Sequence, residues 1–492
     1  MIFNSIDFAV FLPVVFLCYW FVFNRSLLLQ NLFVVAASYV FYGWWDWRFL
    51  ILMTVTIVCS WASGVWIAHT RNRSDLDEKS IRRRARRITA ANIVLNLLIL
   101  GFFKYCNFFV QNFVEAFTLF GKELNVHTLK IILPVGISFY TFQALSYSID
   151  VYREKIAPTR DIVSFFTFVS FFPQLVAGPI ERATNLLPQF QVRRTFDYAQ
   201  ATDGMRQILW GLFKKTVVAD NCAVAVNEIF EGYASYSSGT LLIGAVLFAF
   251  QIYGDFSGYS DIAIGSARLF GINLMRNFAF PYFSRDIAEF WRRWHISLTT
   301  WFRDYVYIPL GGSRVSKAKV IRNTFIIFLV SGLWHGANRT FIAWGAYHAL
   351  LFMPLLLLGK NRKHTGAVVA ENRLLPTLKE CLSMLLTFLL VVIGWIIFRV
   401  ENMHQAIDYI SKICTLSFSD VFVATEGGNR RLLGLLVSTI LILAEWFGRR
   451  QQYTLERIPV RNRVFRWMIY MIIAGMIVML GGVSSPFIYF QF

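Results

Sequence analysis

The sequence predicts an all-α, polytopic membrane protein: about 11 transmembrane helices, with re-entrant and interfacial helices. Three observations carry that reading. Of 492 residues, 56% are hydrophobic and 17% aromatic, and only 16% are charged. Apolar runs long enough to cross about 30 Å of hydrocarbon recur along the whole chain. The basic residues, which give a net charge of +19, fall in short loops between those runs. They therefore read as a positive-inside signal and not as the single basic face that a nucleic-acid binder presents. Membrane lipid is the expected surrounding, and no nucleic acid is expected as a partner.

Residues 7–24, 28–44, 49–68 and 90–118 each satisfy the length and polarity of a span. The first lacks a basic leader and a small-residue cleavage site, so it reads as a retained helix and not as a signal peptide. The loop 71–87, RNRSDLDEKSIRRRARR, carries eight basic residues against three acidic ones and is expected in the cytoplasm. Counting back three spans places Met1 on the outer face and Arg25 inside. Residues 131–151 form the next span, followed by Arg153, Lys155 and Arg160, again inside. FTFVSFFPQLVAGPIER (166–182) is short and broken by proline and glycine. It reads as re-entrant, which requires protein to cover its free backbone groups. Hydrophobic helices follow at 205–230, 239–270, 320–335, 339–358 and 381–399. Residues 402–431 are polar and expected outside. Residues 432–447 return to the inside, where 449–466 carries six arginines against one glutamate. The last span, 467–482, leaves the tail SSPFIYFQF on the outer face. The six cysteines are scattered without CxxC spacing and read as packing residues. No internal repeat of the transporter kind stands out.

The stretch from Arg285 to Gly336 is the part suited to chemistry. From Asp286 to Tyr305, apolar residues at 287, 290, 291, 294, 298, 301, 302 and 305 follow helical spacing. Glu289, Arg292, Arg293, Arg303 and Asp304 lie on the other side, and Pro309, Gly311 and Gly312 stop the helix. Two readings stay open. One is an interfacial helix whose arginines touch lipid phosphates. The other gives Arg292, Arg293, Arg303 and Arg314 an anionic cofactor or carrier phosphate arriving from the cytoplasm. His295 sits beside the aromatic seam.

His335 ends the apolar run NTFIIFLVSGLWH. An ionisable group at membrane depth is costly and needs a reason. It is either a hydrogen-bonded packing residue or a neutral imidazole able to take a proton from a hydroxyl nucleophile. His348 lies thirteen residues on, about 140° round if the helix is continuous, and so points away from a shared site. Asp255 and Asp261 lie inside an apolar helix. They either orient a catalytic histidine, line an ion path, or form a hydrogen-bonded cluster packed through Gly254, Gly258 and Gly265.

LPVGISFYTFQ (133–143), FFPQLVAGPIER (171–182), DFSGYSDIAIG (255–265), FWRRWHISLTTWFRDYVYIPLGG (290–312) and GLWHG (332–336) occur in this order. As an ordered set they resemble the membrane-bound O-acyltransferase family. The likeness is greatest to its bacterial alginate and peptidoglycan O-acetyltransferases, with teichoic-acid D-alanyl transfer proteins as cousins. The resemblance implies a single membrane domain, 1–492, shaped around a tunnel, with an aromatic tail at 483–492. It implies that His335 is the essential catalytic residue and that His295 occupies the second polar position. It also implies that Tyr489, in the tail sequence Phe487-Ile488-Tyr489-Phe490-Gln491-Phe492, carries the acyl group; without the resemblance that tail reads as an interfacial aromatic anchor. The expected donor is acetyl-CoA, used as a substrate and not as a bound cofactor, and no metal is expected. The chain has no GxSxG of its own, and related systems imply a separate periplasmic partner of the SGNH type. The expected location is a bacterial inner membrane with both termini on the periplasmic side. Rival functions are a protein or lipid acyltransferase using a longer chain, and an ion-coupled transporter.

Overall fold

The computed structural model describes residues 1–119, 133–176, 178–366, 368–417, 426–458, 462–481 and 485–488. The regular structure of the described chain is helical, with no strand among the described residues. Among the described residues, seven helices are long and apolar enough to cross a membrane: Arg48–Arg71, Glu78–Val110, Ser238–Leu269, Arg339–Leu357, Leu378–Arg399, Gly427–Gly448 and Arg463–Leu480. Ile6–Val22 and Leu27–Gly43 are shorter apolar helices. The remaining expected spans are helical but differently built. Ile137–Tyr152 is buried along nearly its whole length, polar residues included. The 205–230 run is divided by a π-helical stretch, Phe213–Ala219, that carries two lysines. Their surroundings are protein and not lipid, which relaxes the demand for an all-apolar surface.

The residues pack as two compact units. The first comprises Met1–Thr202 with Ser266–Met275. Its early helices start where serine oxygens cap them: Ser5 accepts from the Phe8 N–H and Ser26 from that of Leu29, each at 3.2 Å. The basic segment expected as a loop at 71–87 is helical from Glu78, because RRRARR is a run of good helix formers that continues into the apolar span. The result is one helix of 42 residues, Glu78–Leu119. Serine and asparagine side chains bind across it and its neighbours: Asn92 donates to Ser148 at 2.7 Å, and Ser63 meets Ser148 at 2.6 Å. The 166–182 segment forms two short helices, Ile162–Ser170 and Phe172–Leu175, with Phe165, Phe168, Phe171 and Phe172 buried. Its interrupted backbone finds side-chain partners. Gln143 and Gln174 donate to the Phe168 carbonyl at 3.1 and 2.6 Å, and Ser38 accepts from the Phe172 N–H at 3.1 Å. This is the satisfaction that a broken segment at membrane depth requires.

The second unit comprises Asp203–Gly265 and Arg276–Phe492 and holds every histidine singled out above. The helix Lys317–His335 ends at Gly336, and Asn338 caps the next, Arg339–Leu357, accepting from the Thr340 N–H at 3.1 Å. The two close on each other through glycines. A Cβ at Gly332 would lie 2.2 Å from the Phe341 carbonyl oxygen, and one at Gly345 would lie 2.4 Å from that of Phe328. The continuous helix that would separate His335 from His348 by a rotation angle is therefore absent.

Candidate functional site

The helix expected from Asp286 to Tyr305 breaks in the middle. Ile287–Arg293 ends at an extended Trp294, His295 takes a left-handed conformation (φ 44°, ψ 54°), and Ile296–Phe302 begins a new helix. A segment around Asn277 fills the break. The Ile296 N–H donates to the Asn277 carbonyl at 2.8 Å, and the Ala279 N–H to that of Arg293 at 2.9 Å. These bonds replace the ones a continuous helix would make, so the apolar seam is shared between two short helices.

The Asn277 side chain sets the state of His295. Its Oδ1 accepts from the Ser297 hydroxyl at 2.9 Å and the Ser297 N–H at 3.3 Å, while its Nδ2 donates to Ser260 Oγ at 3.1 Å. That atom is therefore an oxygen, and His295 Nδ1, 3.1 Å away, must be the protonated nitrogen. Nε2 keeps its lone pair. It is buried and has no hydrogen-bond partner among the described residues. Burial pushes the imidazole down to about 3, so the neutral form prevails at any physiological pH.

His295 and His335 border one cavity of about 60 Å³, with Trp291, Trp294, Phe328 and Ser331 among the other walls. That is space for a few water molecules or one small polar group in an apolar lining. His335 is the last residue of its helix and 6% exposed. Aromatic edges hold its ring: Trp334, Trp344 and Phe398 stand 4.9, 5.1 and 5.2 Å away between centroids. Trp334 also lies 5.9 Å from the His295 ring, so one indole touches both imidazoles. His348 is fully buried behind Trp291 and Trp344, at 4.9 and 5.0 Å, and does not border the cavity.

The arginines do not share one place. Arg293 and Arg285 both bind Glu289, at 2.8 and 3.0 Å. Burial pushes the Glu289 carboxyl up, but hydrogen bonds from Arg285 and the Arg293 charge more than offset it and leave it below its ordinary value. Arg292 donates to the carbonyls of Asn361 and His364, at 2.8 and 3.3 Å. Arg303 pairs with Asp304 at 2.7 Å, is 57% exposed, and Arg314 is exposed. The first helix of the pair is thus fixed by internal partners, and the exposed cations are those after the break. Asp255 and Asp261 are neutralised within the protein: Lys215 lies 2.8 Å from Asp255 and Lys214 lies 2.5 Å from Asp261. Tyr489 lies outside the described residues.

Asn277, Lys214 and Lys215 are the residues the sequence reading passed over. A lone asparagine in a loop is ordinary by type. The consecutive lysines were the one available signal, since charge inside a hydrophobic run asks for a partner.

A many-helix membrane protein with two imidazoles on one small buried cavity suits chemistry on a small group. Residues 87–376 match the membrane-bound O-acyltransferase family. The chain is 41% identical to the probable alginate O-acetylase of Pseudomonas aeruginosa over 92% of this chain and 82% of that protein. It is 37% identical to the probable alginate O-acetylase of Pseudomonas putida over the full length of both. It is 34% identical to the peptidoglycan O-acetyltransferase of Helicobacter pylori over 89% of this chain and 85% of that protein. The protein is a multi-pass membrane acyltransferase. It belongs to the membrane-bound O-acyltransferase family.

Proposed function

We propose that this enzyme takes an acetyl group from cytoplasmic acetyl-CoA and moves it across the membrane for O-acetylation of an exported or cell-wall polysaccharide such as alginate or peptidoglycan. The carrying observation is the cavity shared by His295 and His335. Its small volume suits a two-carbon acyl group better than a long chain, and the relatives just named act, by their names, as O-acetylating enzymes.

In this reading the hydroxyl oxygen of the acceptor bonds to the thioester carbonyl carbon while His295 Nε2 takes its proton. His335 donates a hydrogen bond to the carbonyl oxygen as charge builds there. The carbon–sulfur bond then breaks, and the proton passes to the leaving thiolate. Asn277 fixes the tautomer that leaves Nε2 free for this part. The second reading, favoured by the family resemblance, makes His335 the base. Tyr489 is the proposed first acceptor, and a separate SGNH-type protein on the outer face completes transfer to sugar. The exposed Arg303 and Arg314 receive the donor's phosphates. The basic loops favour a bacterial inner membrane with both termini on the outer face.

Purified protein with labelled acetyl-CoA tests this. His295→Ala and His335→Ala should each lower CoA release by about 100-fold or more. Glutamine retains an N–H donor but cannot act as a base. His335→Gln should therefore keep more activity than His335→Ala, while His295→Gln should do no better than His295→Ala. The reverse pattern would give the base's part to His335. Equal release by wild type and both alanine variants would overturn the enzymatic reading of the cavity.

A further inference from the structure

Outside the cavity, a polar assembly is buried around Lys215. Its ammonium donates to the Asp220 carboxylate at 2.8 Å and to the Ser485 carbonyl at 2.9 Å, and forms an ion pair with the Asp255 carboxylate at 2.8 Å. The lysine and both carboxylates are at most 4% exposed. Asp255 reaches the same segment with its other oxygen, accepting from the Ile488 N–H at 2.6 Å. The two ends of a four-residue stretch of the C-terminal tail are thus tied to one ion cluster. Between them Phe487 is fully buried. Its ring lies 4.4 Å from Tyr259 and 6.0 Å from Phe256. Phe256 in turn stands edge-on to His295 at 4.6 Å and 90°.

We propose that Lys215 and Asp255 form a clamp that docks the C-terminal segment beside His295, with Phe487 as its key. They are positioning residues for acyl transfer. This rests on the reading of the cavity given under Proposed function and adds the chain's own tail as the partner held at that site. The physical case is reciprocal satisfaction. Without the tail, one ammonium proton and one carboxylate oxygen lose their acceptor and donor in a place that excludes water, so the docked state is strongly preferred. What the clamp fixes is the backbone up to the residue preceding Tyr489.

Ile488→Pro removes the donated N–H from the tail and leaves every membrane helix untouched. The full-length chain carries it together with Ser485→Cys as a reporter, with the exposed Cys381 and Cys414 changed to serine. Labelling of position 485 by a polar maleimide should rise, and kcat for acyl transfer should fall, each by about tenfold, with the donor KM unchanged. Adding the peptide SSPFIYFQF should restore kcat in the Ile488→Pro chain, but not in a chain that also carries Lys215→Met. Unchanged labelling and kcat, or equal rescue with and without Lys215, would overturn the clamp. If the wild type fails to cleave the thioester, the proposed function falls, while the labelling result still decides the clamp. If Lys215→Met does not fold, the Ile488→Pro result decides it alone.

Discussion

A single carboxamide decides how His295 presents itself. Asn277 spends its oxygen on Ser297 and on the imidazole, and its amide on Ser260. Asn277→Leu frees both tautomers and should lower kcat by about 100-fold, the order of a lost general base, with the donor KM little changed. Asn277→Asp keeps an acceptor for Nδ1–H and should retain more activity; steady-state kinetics of the two variants check this. The same ring makes stability depend on pH. Its folded value lies near 3, against 6.5 in a solvated chain. Between those limits the unfolded state binds the extra proton, so stability is lost as pH falls from 6.5 towards 3, by at most about 1.4 kcal/mol per pH unit. Melting curves of the solubilised protein from pH 7.5 to 4.5 should therefore slope less steeply in His295→Gln than in wild type. His335 stands out in the sequence as an ionisable group at the end of an apolar run, while His295, in a charged amphipathic stretch, is reached only through the family resemblance. Asn277 could not be found there, because its role comes from where the fold carries it.

The helices themselves followed from apolar runs of sufficient length, and their breaks did not. The residues flanking position 295 keep helical spacing on both sides, so periodicity runs through an interruption that only the Asn277 segment creates. The π-helical stretch Phe213–Ala219 was equally hidden. It turns two successive lysines inward, towards Asp261 and Asp255. Those acids read from sequence as a structural cluster, an orienting pair or an ion path. Their ion pairs and the close helix crossing fit the first. A Cβ at Gly258 would lie 2.8 Å from the Gly211 carbonyl oxygen and 3.0 Å from the Lys215 backbone nitrogen. Gly258→Val should therefore destabilise the fold by about 1–3 kcal/mol through overpacking. A lowered melting temperature with unchanged detergent-free membrane content would show it.

For the whole molecule, the apolar surface is the dominant fact. Large side chains stay open to the surroundings along Arg463–Leu480, with Met471 at 66%, which suits lipid and not water. Met471→Arg places a charge near the middle of that helix and should cost about 3 kcal/mol of insertion free energy; a glycosylation-reporter insertion assay measures it. The helix Glu78–Leu119 carries a different consequence. With 42 residues it is about 63 Å long, some twice the hydrocarbon thickness of a bilayer. The surplus begins with the arginine-rich turns, whose charges are content in headgroups or in water. Such a rod can accept hydrophobic mismatch by exposing more or fewer turns without breaking a backbone bond. The helices packed against it, Arg48–Arg71 and Ile137–Tyr152, have 24 and 16 residues and no such reserve, so they set the bilayer thickness at which the protein is comfortable.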